Sequence, residues 1–278
     1  MVMVAFDKLG IIKRPVRTNS TLNLWSPYDA NLIGGGLVGI GMALSGACPG
    51  TVLVQLGQGL PSAKATASGA LLGAAIYIKV QERRKNARLE SQEPAAYTRT
   101  ISEVSRVPEV AIYSLLLVAI AVILGFAPAG SDQSLVSPVV GGLLIGCAQA
   151  ASLLLTRSPL GVSATYEQLS RHILNALREG IVAKPSLPSK NIIFSLGVVA
   201  GSIAVAASKP SFDNSASDLA VPTWQAFLGG VAMTFGARLG GGCTSGHGLS
   251  GMSAMSASSL VTVAAMFGAG ILTRAFMA

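Results

Sequence analysis

Apolar residues run through this chain in long blocks that charge rarely interrupts. Between consecutive Asp, Glu, Lys or Arg residues lie uncharged stretches at 30–63, 65–78, 110–131, 133–156, 191–208, 219–237 and 239–273, of 34, 14, 22, 24, 18, 19 and 35 residues. A helix needs about 20 largely apolar residues to cross a bilayer, and most of these stretches meet that length. The 14-residue stretch ends at Lys64 and Lys79, whose stems can snorkel to the interfaces. The pattern predicts spanning helices near 32–48, 62–80, 109–127, 138–155, 190–207, 222–240 and 254–275. Residues 81–107, charged and followed by Pro108, predict a solvated connector. Residues 164–180 predict a short amphipathic surface helix, and 209–221 an exposed loop.

Composition agrees. Of 278 residues 51% are hydrophobic and 12% charged, about half the charge of a soluble domain. The mean hydropathy is +0.58. Disorder is excluded by the apolar content, and a disulfide scaffold by three Cys in so long a chain. Aromatics make up 5% while Gly numbers 32, which suits closely packed helices in a bilayer. Pairs spaced as GxxxG recur at Gly35/Gly39, Gly69/Gly73, Gly142/Gly146, Gly197/Gly201 and Gly236/Gly240. Tight packing is the reading for most of them.

The net charge of +8 does not point to nucleic acid, because no aromatic residues interleave a basic groove. Instead the positive residues cluster between spans, as topology signals do. Segment 79–106 holds seven Lys and Arg, and 157–190 holds five. Both, with Lys8, Lys13, Arg14 and Arg17, are placed on the cytoplasmic side. No signal peptide is expected at the N-terminus. The expected location is a multi-pass place in the lipid bilayer of the cell (plasma or inner) membrane.

An internal repeat organises the chain. Gly34-Gly35-Gly36-Leu37-Val38-Gly39 leads to Leu44-Ser45-Gly46-Ala47-Cys48-Pro49-Gly50, and Leu228-Gly229-Gly230-Val231-Ala232-Met233 leads to Gly240-Gly241-Gly242-Cys243-Thr244-Ser245-Gly246. In both copies 14 positions separate a Gly from the Cys (Gly34 to Cys48, Gly229 to Cys243). A degenerate copy joins 141–146 to Ser158-Pro159-Leu160-Gly161. The expected layout is one membrane domain over 1–278. It holds a first broken-helix repeat at 31–80, the connector at 81–107, the degenerate repeat at 108–180 and a last broken-helix repeat at 190–276. A 35-residue uncharged stretch is too long for one span and too short for two with a loop, so a span plus a re-entrant half-helix fits it. Charge counting orients the two Cys-bearing copies oppositely, as in an inverted repeat. The fold class is therefore all-α: a polytopic integral membrane protein with re-entrant half-helices and inverted repeats.

Irregular backbone at membrane depth is tolerated where it is buried or lines a polar cavity, which makes the breaks candidate pathway linings. A helix restarting there points free N–H groups and partial positive charge inward, at an anion. Pro49 suits the first turn, and Thr244 and Ser245 are natural N-caps. Arg238, five residues before Cys243, either attracts an anion or snorkels to the interface; both readings stand. Cys48 and Cys243 occupy equivalent break positions, where a soft thiol suits a sulfur-bearing anion better than phosphate. Cys147 reads as a small buried apolar residue. His247 caps backbone or tunes the site, and His172 is solvated. No metal-ligand spacing and no phosphate loop occur, so neither a metal nor a cofactor is expected. The literal GxGxxG at 246–251 follows no strand and is read as a chance match.

The run Gly236-Ala237-Arg238-Leu239-Gly240-Gly241-Gly242-Cys243-Thr244-Ser245-Gly246-His247-Gly248-Leu249-Ser250-Gly251 resembles the signature of the YeeE/YedE family of sulphur transport proteins. Gly41 to Gly50 resembles a second motif of that family. The resemblance implies spanning and short re-entrant helices, and uptake of thiosulfate or a related sulfur anion handed along thiols through S–H contacts. Carried over, Cys48 and Cys243 match motif positions, and Cys147 matches by rough location. Together with the residues read from the breaks themselves, the expected substrate-binding set is Cys48, Cys147, Cys243, Gly50, Thr244, Ser245, Gly246, His247 and Arg238, with no catalytic residue. An intracellular sulfur-acceptor protein is a candidate partner. Family members tend to carry a further broken-helix module, and Phe6 to Pro15 resembles the tail of one. The alternative function is a membrane sulfurtransferase with a cysteine nucleophile, for which His247 is the candidate base.

Overall fold

The computed structural model describes residues 16–22, 24–88, 98–126, 137–156, 161–179, 189–208 and 221–277, together with Asp7 and Gly10. The rest of the module tail expected at Phe6–Pro15 lies outside the described residues. So do residues 158–160 of the middle break and all of the 209–221 loop but Val221.

The helices are α1 (Asp29–Ser45), α2 (Pro49–Gly57), α3 (Pro61–Arg88), α4 (Ile101–Ser105), α5 (Glu109–Phe126), α6 (Pro138–Thr156), α7 (Ser163–Glu179), α8 (Lys190–Ser208), α9 (Thr223–Leu239) and α10 (Ala257–Met277). A wide π-helical segment, Thr244–Gly251, lies between α9 and α10. Among the described residues there is no strand, only an isolated antiparallel bridge between Thr100 and Ser256. Four segments of the described residues are long and apolar enough to cross a membrane: Asp29–Gly57, Val139–Thr156, Lys190–Ser208 and Ala257–Met277.

The centre is a row of four helices in the order α3, α9, α1, α10. Glycine sets their spacing. A methyl group at Gly35 would sit 2.6 Å from the Thr262 carbonyl, and one at Gly41 2.6 Å from the Gly229 carbonyl. One at Gly39 would overlap the Met266 carbonyl, and one at Gly69 the Phe227 carbonyl. These contacts also fix direction. Gly34 meets Gly236 and Gly240 while Gly41 meets Gly229 and Met233, so α1 and α9 are antiparallel. Gly35 meets Thr262 and Gly39 meets Met266, so α1 and α10 are parallel. The pairs Gly142/Gly146 on α6 and Gly197/Gly201 on α8 have nothing within reach of an added methyl. Three of the five GxxxG pairs therefore pack helices.

Two expectations are corrected. The helix that enters the connector does not stop near 80 but continues to Arg88. The segment Gln81–Arg88 contains good helix formers and no Gly or Pro to end the ladder. The segment 164–180 is amphipathic, but it is not a surface helix at its start. Ser163, Thr165, Tyr166, Glu167 and Ser170 are buried. Short polar side chains let it enter the bundle: Ser170 Oγ donates to the Leu71 carbonyl at 2.8 Å, and Thr165 Oγ1 donates to the Asn191 carbonyl at 3.0 Å.

At one end of the row the extended segment 16–22 is stitched beneath the helices. Asn31, fully buried, donates from Nδ2 to the Gly240 carbonyl (3.0 Å) and to Thr262 Oγ1 (2.9 Å), and accepts from the Ser20 N–H (2.7 Å). The Asp29 carboxylate, equally buried, accepts from the N–H groups of Leu22 and Leu24 at 2.6 and 2.7 Å. A carboxylate in the first turn of α1 is also placed favourably against the helix dipole.

Candidate functional site

The two cysteine-bearing breaks share one backbone design. Gly46 ends α1 in the left-handed region at φ 66°, and Gly241 follows α9 at φ 82°. Each lies two residues before its cysteine. Both glycines adopt a turn that a side chain would strain. Cys48 (φ −91°) and Cys243 (φ −99°) are then extended and stand as the N-cap residues of the segments that restart.

In the first break the cysteine is itself the cap. The Cys48 N–H donates to Thr51 Oγ1 at 2.6 Å, and the Thr51 N–H donates to Cys48 Sγ at 3.4 Å, a reciprocal capping box built on sulfur. Pro49 occupies the first turn, as its fixed φ favours. In the second break Thr244 and Ser245 do not cap, contrary to expectation. The chain resumes one residue earlier, at Cys243, whose carbonyl accepts from the His247 N–H at 2.8 Å. That frees both hydroxyls. Ser245 Oγ lies 3.2 Å from Cys243 Sγ. Thr244 Oγ1 reaches Met42 Sδ at 3.2 Å and Met266 Sδ at 3.3 Å.

The start of α7 joins them. The Ser163 hydroxyl and N–H, with the Gly246 N–H, hydrogen-bond to the fully buried Cys243. Tyr166 donates its hydroxyl to the Pro49 carbonyl at 2.8 Å. Val162 lies within van der Waals reach of Gly50. Three restarting segments, α2, α7 and the π-helical one, thus bring their N-termini to one place, where orphan N–H groups favour negative charge.

Cys48 opens into a cleft of about 910 Å³, lined also by Thr51, Gln55, Gln225, Met42, Met266 and Arg274. The cleft lies where α1 and α10 end and α9 begins. Arg17 lies at the opposite end of the row, on the far side of Cys243. Its Nη1 donates to the Gly241 carbonyl at 2.7 Å, and its carbonyl accepts from Ser256 Oγ and Ser258 Oγ at 3.0 and 3.1 Å. Its guanidinium lies 3.0 Å from where a methyl group would stand on Gly242 or Gly246. Burial lowers the Arg17 pKa from its ordinary value; Cys243 opposes this shift and Arg238 reinforces it.

The remaining candidates fall into different roles. His247 is buried, with Nε2 3.0 Å from the Gly240 carbonyl and Nδ1 2.9 Å from Ser259 Oγ. A carbonyl only accepts, so Nε2 carries the proton and Nδ1 accepts from the serine. The ring ties the α9 turn to α10. Arg238 pairs with Glu167 of α7 and lies 6.0 Å from the Tyr77 ring centroid. Arg171 shares that carboxylate at 2.7 Å. Gly50 and Gly246 lie at the meeting point, Gly246 beneath Arg17. Cys147 is exposed on α6 and is not brought together with the other two. Its helix reaches the π-helical segment instead through Gln149, whose Nε2 donates to the Leu249 carbonyl at 3.5 Å and to Ser253 Oγ at 3.4 Å. Among the described residues no three His, Cys, Asp or Glu side chains gather as a metal site.

Sequence reasoning did not single out Arg17, Ser163, Tyr166, Glu167, Met42 or Met266. Met42 lies within the Gly41–Gly50 motif, and Ser163 and Tyr166 stand just after the Gly161 break.

Two proteins of Xylella fastidiosa, from strains Temecula1 and 9a5c, each named "Probable transporter", are 32% and 30% identical over 141 residues. In each case that is 50% of this chain and 93% of the relative. The family model described as "Sulphur transport" matches residues 1–272. The chain therefore belongs to the sulphur transport (YeeE/YedE) family and is a multi-pass membrane protein.

Proposed function

We propose that the protein is a membrane transporter or channel that carries thiosulfate, or a closely related small sulfur-bearing anion. The observation that carries this reading is the convergence of the α2, α7 and π-helical N-termini around Cys243, beside a cleft into which Cys48 opens. An anion entering from the cleft loses water, a cost of several kcal/mol per ion that fixed dipoles must offset. Each helix N-terminus contributes about 0.3–1 kcal/mol, and up to about 2 where partly buried. Such modest sites hold the ion loosely enough to release it. The thiols add polarizable contacts suited to the terminal sulfur of thiosulfate. In this reading α2 and the π-helical segment are re-entrant half-helices, approaching each other from antiparallel halves of the bundle.

Thiosulfate-dependent growth and uptake of labelled thiosulfate test the reading in cells making the protein. Cys243→Ala and Cys48→Ala are expected to abolish both while the protein still reaches the membrane. Normal uptake in both variants would remove the thiols from the path. Against the sulfurtransferase alternative, the His247 ring is held by the Gly240 carbonyl and Ser259 Oγ, which favours a structural role over that of a base for Cys243.

A further inference from the structure

We infer that Met42 and Met266 form a gate between the cleft and Cys243, latched by the Thr244 hydroxyl. This inference rests on the anion-passage reading and adds the residues that control entry to its buried thiol.

The geometry comes from three helical segments. Met42 of α1 and Met266 of α10 both line the cleft. Both pack in the apolar cluster that contains the fully buried Cys243. Thr244, the residue after that cysteine, donates toward both thioethers, at 3.2 and 3.3 Å. The cleft therefore reaches Met42 and the fully buried Met266, and the hydroxyl of Thr244, next to Cys243 in the chain, stands against both of their sulfur atoms.

Two properties of these groups make the pair a gate rather than a plain wall. A threonine hydroxyl has one proton, so it can hold only one of two acceptors at a time. The other side chain keeps only its packing. Methionine is unbranched and has three rotatable bonds, so it can swing without moving backbone. Backbone movement is closed off here, because α1 and α10 touch at Gly35 and Gly39 with no room for a methyl group. Opening must then be a side-chain event.

The gate also discriminates. A polarizable thioether makes favourable contacts with a soft sulfur atom and offers no hydrogen-bond donor to an oxyanion. An ion presenting a sulfur end first passes more readily than one presenting only oxygens, such as sulfate.

The test keeps Cys243 as the only thiol, in a Cys48→Ser, Cys147→Ser background in nanodiscs. The rate of Cys243 modification by a small charged thiosulfonate reagent is then followed. Met42→Ala and Met266→Ala are expected to raise this rate at least tenfold. Thr244→Val, which keeps shape and removes the latch, is expected to raise it several-fold with an unchanged elution profile. Parent rates in Thr244→Val and both alanine variants would overturn the gate. Faster modification with no thiosulfate uptake by the otherwise native protein would leave the gate standing and refute the transport reading. In cells, Met42→Leu with Met266→Leu keeps the volume and removes the sulfur. It is expected to lower the preference for thiosulfate over sulfate at least threefold, and an unchanged preference would refute the selective role.

Discussion

The hydroxyl of Tyr166 donates to the carbonyl of Pro49 at 2.8 Å, joining the start of α7 to the first residue of α2. Through this bond the middle break holds the first break in place. Cys48, the N-cap of α2, is the residue just before Pro49, so the bond anchors the backbone next to that thiol. Tyr166→Phe keeps the ring and removes the bond. It is expected to cost about 0.5–1.5 kcal/mol of stability, the net worth of one hydrogen bond. Thiosulfate uptake should fall several-fold. Thermal unfolding in detergent and initial uptake rates check the two effects separately.

Arg17 supplies the fixed positive charge beside Cys243, and its fork holds the Gly241 carbonyl. Lysine retains the charge but not the planar fork. Arg17→Lys should therefore keep a substantial part of uptake, and Arg17→Gln should lose at least tenfold. Equal loss in both variants would show that the fork, and not the charge, is what the site uses.

The Glu167–Arg238 ion pair separates two roles for Arg238. Side-chain exposures of 12% and 23% put the pair between surface and core. Removing Glu167 strands Arg238, at about 1–3 kcal/mol, less than the 3–5 of a fully buried pair, whereas removing Arg238 leaves Glu167 paired with Arg171. Glu167→Gln alone should lower thermal stability, and Glu167→Gln with Arg238→Gln should recover much of it. If Arg238 instead binds the anion, the double variant will be stable and inactive. Measuring unfolding and uptake on the same preparations distinguishes these outcomes.

Glycine positions divide into two classes with opposite responses. Gly39→Ala would push a methyl into the Met266 carbonyl and should cost about 1–3 kcal/mol or more through overpacking. Gly142→Ala meets nothing within 4 Å and should be neutral or stabilising by up to about 1 kcal/mol, through helix propensity. Thermal shift measurements on both proteins check the pair.

The blocks of uncharged residues determined much of this architecture. Helices near 32–48, 138–155 and 190–207 were legible because a span must be long and apolar, a local property. The equivalence of Cys48 and Cys243 was legible for a similar reason. A glycine stands two residues ahead of each cysteine, and in both places it takes a positive φ and the cysteine an extended N-cap conformation. What the repeat could not reveal was which side chains from elsewhere close the site. Arg17 reaches Gly241 across 224 residues, and no periodicity encodes such a contact. Thr244 was read as a cap because its type favours caps. The backbone placed Cys243 in that role, and the hydroxyl was left to two methionines on other helices. The glycine pairs show the same division. Their spacing is identical in sequence, yet only tertiary packing decides which of them another backbone approaches.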